Sequence, residues 1–133
     1  EKDLSAFLNL TPTVRIALRN PFSRTRYPAD ESVVAVIDSG YEGFLAIPLD
    51  VFKHLLLDAL QPQRRALVLA NGAILTSKGA YAVLEIPHVA IRLSGFVETY
   101  NGLEEIILGV EALSRFKSTL DYCQKKISIQ PCP

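Results

Sequence analysis

Residues 33–43 read Val33-Val34-Ala35-Val36-Ile37-Asp38-Ser39-Gly40-Tyr41-Glu42-Gly43, and this stretch decides how the chain folds. Five consecutive apolar, mostly β-branched residues form a strand that is apolar on both faces, which belongs inside a sheet system rather than at its edge. That strand runs without a polar break into Asp38-Ser39-Gly40. A carboxylate there is costly. Burial without a partner raises its pKa, and such a group normally persists only if something hydrogen-bonds it or uses it. The plainer reading is a β-turn, for which Asp, Ser and Gly are preferred residues. By composition, an Asp-Ser/Thr-Gly triplet turns up in roughly one chain in twenty of this size. The triplet alone therefore decides little, and the argument rests on what surrounds it.

On the N-terminal side, Thr13 to Leu18 alternates as a strand, and Asn20-Pro21 opens a polar loop ending around Glu31. The strand before the turn is expected over Ser32 to Ile37. On the C-terminal side, Phe44 to Ile47 is a second short buried strand. Pro48 then suits the first position of a helix running to Leu57, because that position needs no N–H. Strands over Arg65 to Ala70 and Ala73 to Leu75 flank Asn71-Gly72, a strong hairpin signal because both residues tolerate positive φ. Further strands are expected at Ala80 to Ile86 and Val89 to Phe96, turning at Pro87-His88. At Gly109, 69 residues after Gly40, the same pattern returns: the apolar strand Ile106-Ile107-Leu108, a glycine, then a helix with Val110, Leu113 and Phe116 on one face. Ser118 to Tyr122 and Lys126 to Ile129 make a closing hairpin. The expected fold is mainly β, a closed barrel with two short helices, each following a buried apolar strand.

The chain has 133 residues, 49% hydrophobic and 21% charged, with fourteen basic groups against fourteen acidic ones. That suits one domain over 1–133, with its core about 13–129. The zero net charge argues against nucleic acid as a partner, since such affinity comes from cations neutralising phosphates. The apolar runs are too short to span a bilayer, so no membrane is expected either. His54, His88, Cys123 and Cys132 lack metal-ligand spacing, so no metal is expected. No GxSxG is present and neither His has a nucleophile motif beside it, which argues against a triad hydrolase. Cys123 and Cys132 lie on a hairpin that separates them, so an internal disulfide is not expected. Arg64-Arg65 and Lys125-Lys126 read as solvated turns. Asn9-Leu10-Thr11 matches a glycosylation sequon, which matters only in a secreted protein. With no leader pattern visible, a cytoplasmic location is the default. The start at Glu1 and the lack of Met suggest a trimmed or processed form.

The strand and turn Val34 to Gly40, the hairpin Leu69-Ala70-Asn71-Gly72, and Ile106 to Gly109 with the helix Val110 to Phe116 together resemble the retroviral-type (retropepsin-like) aspartic proteases. The closing segment Lys117 to Ile129, with Thr119-Leu120-Asp121-Tyr122, looks like the bacterial and archaeal single-domain members. The resemblance implies an aspartic endopeptidase in which water attacks a peptide carbonyl between two carboxyl groups sharing one proton. Asp38 would be the catalytic residue, Ser39 and Gly40 its support, and Gly40, Glu42, Asn71, Gly72 and Ala73 the substrate contacts, with the hairpin as flap. No metal or organic cofactor is implied. The chain supplies one Asp-Ser/Thr-Gly; Asp3, Asp30, Asp50 and Asp58 sit in polar or helical contexts and Asp121 in the last hairpin. The second Asp38 must then come from a second copy, so the partners are a homodimer and a polypeptide substrate. Ser39 stands for the more usual Thr, the flap tip lacks the retroviral glycines, and the helix at Pro48 to Leu57 is extra. The alternative is a peptide-binding or dimerisation module with this fold and no turnover.

Overall fold

Pairing around the strand Val33–Ile37 organises the computed structural model of the chain, which describes residues 5–133. In order, the strands are β1 (Ser5–Leu8), β2 (Thr11–Arg19), β3 (Arg26–Tyr27), β4 (Val33–Ile37), β5 (Leu45–Ala46), β6 (Gln63–Val68), β7 (Ile74–Ile86), β8 (Ile91–Thr99), β9 (Ile107–Leu108), β10 (Phe116–Asp121) and β11 (Lys126–Pro131). Two short helices, α1 (Leu49–His54) and α2 (Val110–Leu113), follow β5 and β9. β4 lies between β2, which it pairs antiparallel, and β9, which it pairs in parallel through Val36↔Ile107 and Ile37↔Leu108. From β9 the pairings continue through β5, β8 and β7, and β7 returns to β2 at Ala17↔Glu85, Leu18↔Leu84 and Arg19↔Val83. The circuit ends on the strand where it began, which is the mainly β barrel with two short helices that the sequence predicts.

The circuit encloses one core. Ile16 and Leu18 of β2, Phe44, Leu45 and Ile47 around β5, Phe52 of α1, Leu84 and Ile86 of β7 and Leu108 of β9 are almost wholly buried. Strand alternation explains which side chains enter it. On β4, Ala35 and Ile37 are buried, while Val33, Val34 and Val36 are only half-buried. The expectation that this strand is inside the sheet is correct, but one of its faces opens outward.

Several boundaries differ from the sequence reading. The strand expected from Ala80 is the second half of the longer β7, which starts at Ile74 and forms the whole outgoing arm of the hairpin. The helix expected over Val110 to Phe116 is one turn, because Phe116 is drawn into the core as the first residue of β10. The helix expected to reach Leu57 stops at His54, and Pro48 precedes its first residue instead of occupying it. Leu56 takes a left-handed conformation at φ 59, and the buried Asn20 donates to the Leu55 carbonyl at 2.9 Å, capping that end. A 3-10 turn, Leu57–Leu60, follows. The polar loop after Asn20 contains the two-residue β3, and β1 pairs along β2 where no strand was expected. Asp3 lies outside the described residues.

The core makes a direct prediction. Phe52 has no exposed surface, so Phe52→Ala leaves a cavity in the anchor of α1 and is expected to lower unfolding free energy by about 3–5 kcal/mol in urea titrations. A loss below about 1 kcal/mol would show that α1 is not part of the cooperative core.

Candidate active site

Asp38 follows the last residue of β4, and main-chain bonds fix it there. Its N–H donates to the Leu108 carbonyl at 2.9 Å, extending the β4–β9 pairing into the turn. Tyr41 N–H donates back to the Asp38 carbonyl at 3.2 Å, closing the turn. The carboxylate Oδ1 accepts the Gly40 N–H at 2.8 Å, and a Cβ on Gly40 would sit 3.2 Å from that oxygen. Gly40 therefore gives the carboxylate both a donor and room. Asp38 is half-buried, and Ser39, Gly40 and Glu42 are exposed. Val34 and Val36, on the half-open side of β4, line a cavity of about 560 Å³ that also includes Val51, Leu103 and Ile106.

The turn and the β9–α2 junction are laced together. Gly109 N–H donates to Phe44 O at 3.0 Å, Val110 N–H to Tyr41 O at 2.8 Å, and Glu111 N–H to Gly43 O at 3.1 Å. A Cβ on Gly109 would fall 2.2 Å from Gly43 O and 2.5 Å from the Tyr41 ring, so only glycine allows this approach. The glycine that ends the second apolar strand is thus the seat of the first turn.

The hairpin forms where Asn71-Gly72 predicts it, with β6 and β7 paired from Gln63↔Gly79 to Val68↔Ile74. Gly72 has φ +85, Gly72 N–H donates to Leu69 O at 2.9 Å, and Ala73 N–H donates to Asn71 Oδ1 at 2.9 Å. Asn71, Gly72 and Ala73 are exposed, as are Val68 and Ile74 beside them. Asp38, Ser39 and Gly40 thus share one turn, while Asn71, Gly72 and Ala73 form the tip of a separate projecting arm.

The sequence reading missed Glu98 on β8. Its side chain has no exposed surface. Oε1 accepts Arg65 Nε at 2.8 Å and Ser77 Oγ at 2.6 Å, while Oε2 accepts Arg65 Nη2 at 2.5 Å and the Tyr41 hydroxyl. Burial alone would push this carboxyl up, but the bonds from Arg65, Ser77 and Tyr41 outweigh it and hold the pKa below the ordinary carboxylate value. Tyr41 is raised, first by burial and then by the Glu98 carboxylate, and Arg65 is raised chiefly by its bond to Glu98. Tyr100 is raised by burial and by the charges of Glu98 and Asp38. Arg65 is exposed as Arg64-Arg65 suggested, but it is not in a turn: it lies within β6 and closes an ion pair with Glu98. The available signal was an acid in the otherwise apolar run Phe96-Val97-Glu98-Thr99, with Tyr41 directly after the turn.

Among the described residues no three His, Cys, Asp or Glu side chains gather as metal ligands, and no helix is long and apolar enough to cross a membrane. Cys123 and Cys132 are exposed free thiols.

No protein-family model matches the sequence. An uncharacterized protein of Archaeoglobus fulgidus is 46% identical over 126 residues, covering 95% of this chain and 98% of that protein. Among solved structures, a retropepsin-like aspartic protease from Rickettsia conorii matches with a TM-score of 0.62 at 14% identity, over 95% of this chain and 94% of that one. The retroviral protease-like domain of Ddi1 from Leishmania major matches with a TM-score of 0.51 at 12% identity, over 100% and 97% of the two chains. At these identities the likeness is one of fold.

The depressed Glu98 value fixes a sign. A carboxyl whose folded pKa lies below its unfolded value contributes stability that is fully present above the unfolded value and is lost as pH falls through the folded one. The stability difference between wild type and Glu98→Gln should stay constant from about pH 7 to about pH 5 and shrink below about pH 4. Urea midpoints across that range measure it, and a difference independent of pH would contradict the assignment.

Proposed function

The chain is a retropepsin-like domain belonging to one family with the Archaeoglobus protein, and from that premise we propose that it is an aspartic endopeptidase acting as a homodimer. The observation that carries the reading is Asp38 itself, a carboxylate fixed by main-chain bonds at the end of a strand, accepting Gly40 N–H and beside exposed Ser39 and Gly40. A turn-closing aspartate needs neither the apolar strand behind it nor the Gly109 seat beneath it.

One chain offers one such carboxylate, and the reaction needs two. Two like charges about 3 Å apart cannot both ionise, so in a two-fold pair one Asp38 stays protonated as acid while the other is the base. The base takes a proton from the water held between them as that water attacks the peptide carbonyl. The acid protonates the carbonyl oxygen, and the tetrahedral intermediate collapses as the leaving nitrogen takes up a proton. Ser39 is suited to hydrogen-bond across the two-fold axis, and Gly40 and Glu42 to meet the substrate main chain. The hairpin, with Asn71, Gly72 and Ala73 at its tip, would close over an extended polypeptide and exclude water. Val34 and Val36 on the open side of β4 favour apolar substrate segments. No metal or organic cofactor has a part in this chemistry.

The second reading, a peptide-binding or dimerisation module without turnover, is favoured by the hairpin tip, whose Gly72 and Ala73 N–H groups are already bonded within the turn. One experiment separates the two readings. Wild type and Asp38→Asn, both confirmed as dimers at micromolar concentration, are incubated with an unfolded protein over a pH series. The endopeptidase reading expects cleavage with a bell-shaped profile peaking below neutral, reduced at least about a thousandfold by the substitution. Equal cleavage by the two forms, or none by wild type, removes the catalytic assignment.

A further inference from the structure

Glu98 is buried where the turn after Asp38 meets the two arms of the hairpin, β6 and β7, which a ladder joins to each other. Its own main chain is fixed, since β8 pairs Glu98 with Gly79 and the Glu98 carbonyl accepts Ile47 N–H at 2.9 Å. Two-residue alternation across the registers Gly79↔Glu98 and Arg65↔Ser77 puts Arg65, Ser77 and Glu98 on one face of the β6–β7–β8 sheet. The position opposite Glu98 is Gly79, and the space its missing side chain leaves is taken by the Phe96 ring, which a Cβ there would meet at 2.6 Å. From the other side comes Tyr41, whose ring packs so closely that a Cβ on Gly43 would lie 2.4 Å from its hydroxyl oxygen and 3.0 Å from Arg65 Nη2.

The division of labour between the two oxygens is specific. Oε1 bridges β6 to β7, through Arg65 Nε and Ser77 Oγ; Oε2 bridges β6 to the turn, through Arg65 Nη2 and Tyr41. An ionised carboxylate is acceptor-only, with about four lone-pair sites, and here four donors face it. Neither a protonated acid nor an amide meets that demand, because each would set a donor against a donor. Beyond this point residues 66–74 of the hairpin are exposed except for half-buried Leu67, so the four bonds lie at the root of the projecting arm. At the other end, Tyr41 stands three residues after Asp38 and bonds its carbonyl.

We infer that Glu98 is a positioning residue that couples the root of the hairpin to the turn carrying Asp38, holding β6 and β7 through Arg65 and Ser77 and the turn through Tyr41. Its consequence for turnover rests on the endopeptidase reading, in which the hairpin is the flap; the coupling itself rests on the geometry. A flap whose root shares a carboxylate with the catalytic turn keeps its approach in register with the reacting carboxyl. Main-chain bonds hold the turn to the β9–α2 junction and β6 to β7, and the Glu98 side chain adds the link between these two separately anchored segments.

Amide hydrogen exchange read by mass spectrometry, on full-length protein, tests the coupling whether or not the chain cleaves peptides. Glu98→Gln should speed exchange at least about tenfold in both 63–79 and 38–43 while leaving β2 protected. Tyr41→Phe and Ser77→Ala each remove one donor, keep the ion pair, and serve if Glu98→Gln does not fold. Tyr41→Phe should loosen 38–43 alone, and Ser77→Ala should loosen 63–79 alone. If cleavage is present, Tyr41→Phe should lower kcat with KM within about twofold, and Ser77→Ala should raise KM with kcat within about twofold. Uniform loosening that includes β2, or no change in either segment, overturns the inference. Absence of cleavage in wild type with the exchange pattern intact would instead sink only the endopeptidase reading.

Discussion

The architecture depends on one close approach of main chain to main chain, that of residues 38–43 against 106–111. β4 and β9 run parallel for only two residue pairs, and the turn beyond them is held by bonds from Asp38 N–H to Leu108 O and from Val110 N–H to Tyr41 O. Gly109 makes this possible, because any side chain there would strike Gly43 O and the Tyr41 ring. Asp38 is consequently located by the backbone, and among the described residues its carboxylate accepts one bond, from Gly40 N–H. A carboxylate located mainly by its backbone keeps acceptor capacity beyond that one bond.

Glu98 shows the opposite arrangement. It is wholly buried, every acceptor position is used, and its pKa lies below the ordinary value, so it stays charged in mildly acid solution. The two carboxylates differ in engagement: Glu98 is wholly buried with four donors facing it, while Asp38 is half-buried and accepts the Gly40 N–H. Tyr100 is raised by burial first and then by the charges of both carboxylates. While Glu98 stays ionised, its bonds tie the root of the hairpin to the turn.

Much of this was legible in the amino-acid order, and the rest was not for identifiable reasons. The apolar run Val33–Ile37 ending in Asp38, the Asn71-Gly72 turn and the repeat at Ile106–Gly109 are local signals, and each forms where its pattern predicts. Helix ends were misjudged because tertiary contacts set them: Asn20, distant in sequence, caps Leu55, and burial of Phe116 cuts α2 to one turn. Glu98 and Arg65 were missed because 33 residues separate them. Strand alternation gives the face of each but not that the two faces coincide, so a cation in Arg64-Arg65 reads as part of a solvated turn until the register of β6, β7 and β8 is known. The roles of Ser39, Glu42 and the hairpin tip depend on a second chain and a substrate, which no single-chain pattern contains.

The central claim is that two copies of this chain bring two Asp38 carboxylates to one water. A high-resolution structure of the dimer measures it directly. The account predicts a two-fold axis between the turns, the two carboxylates within hydrogen-bonding distance, about 3 Å, and one water shared by both. Carboxylates held apart, blocked by a side chain, or facing away from each other across a different interface would contradict it.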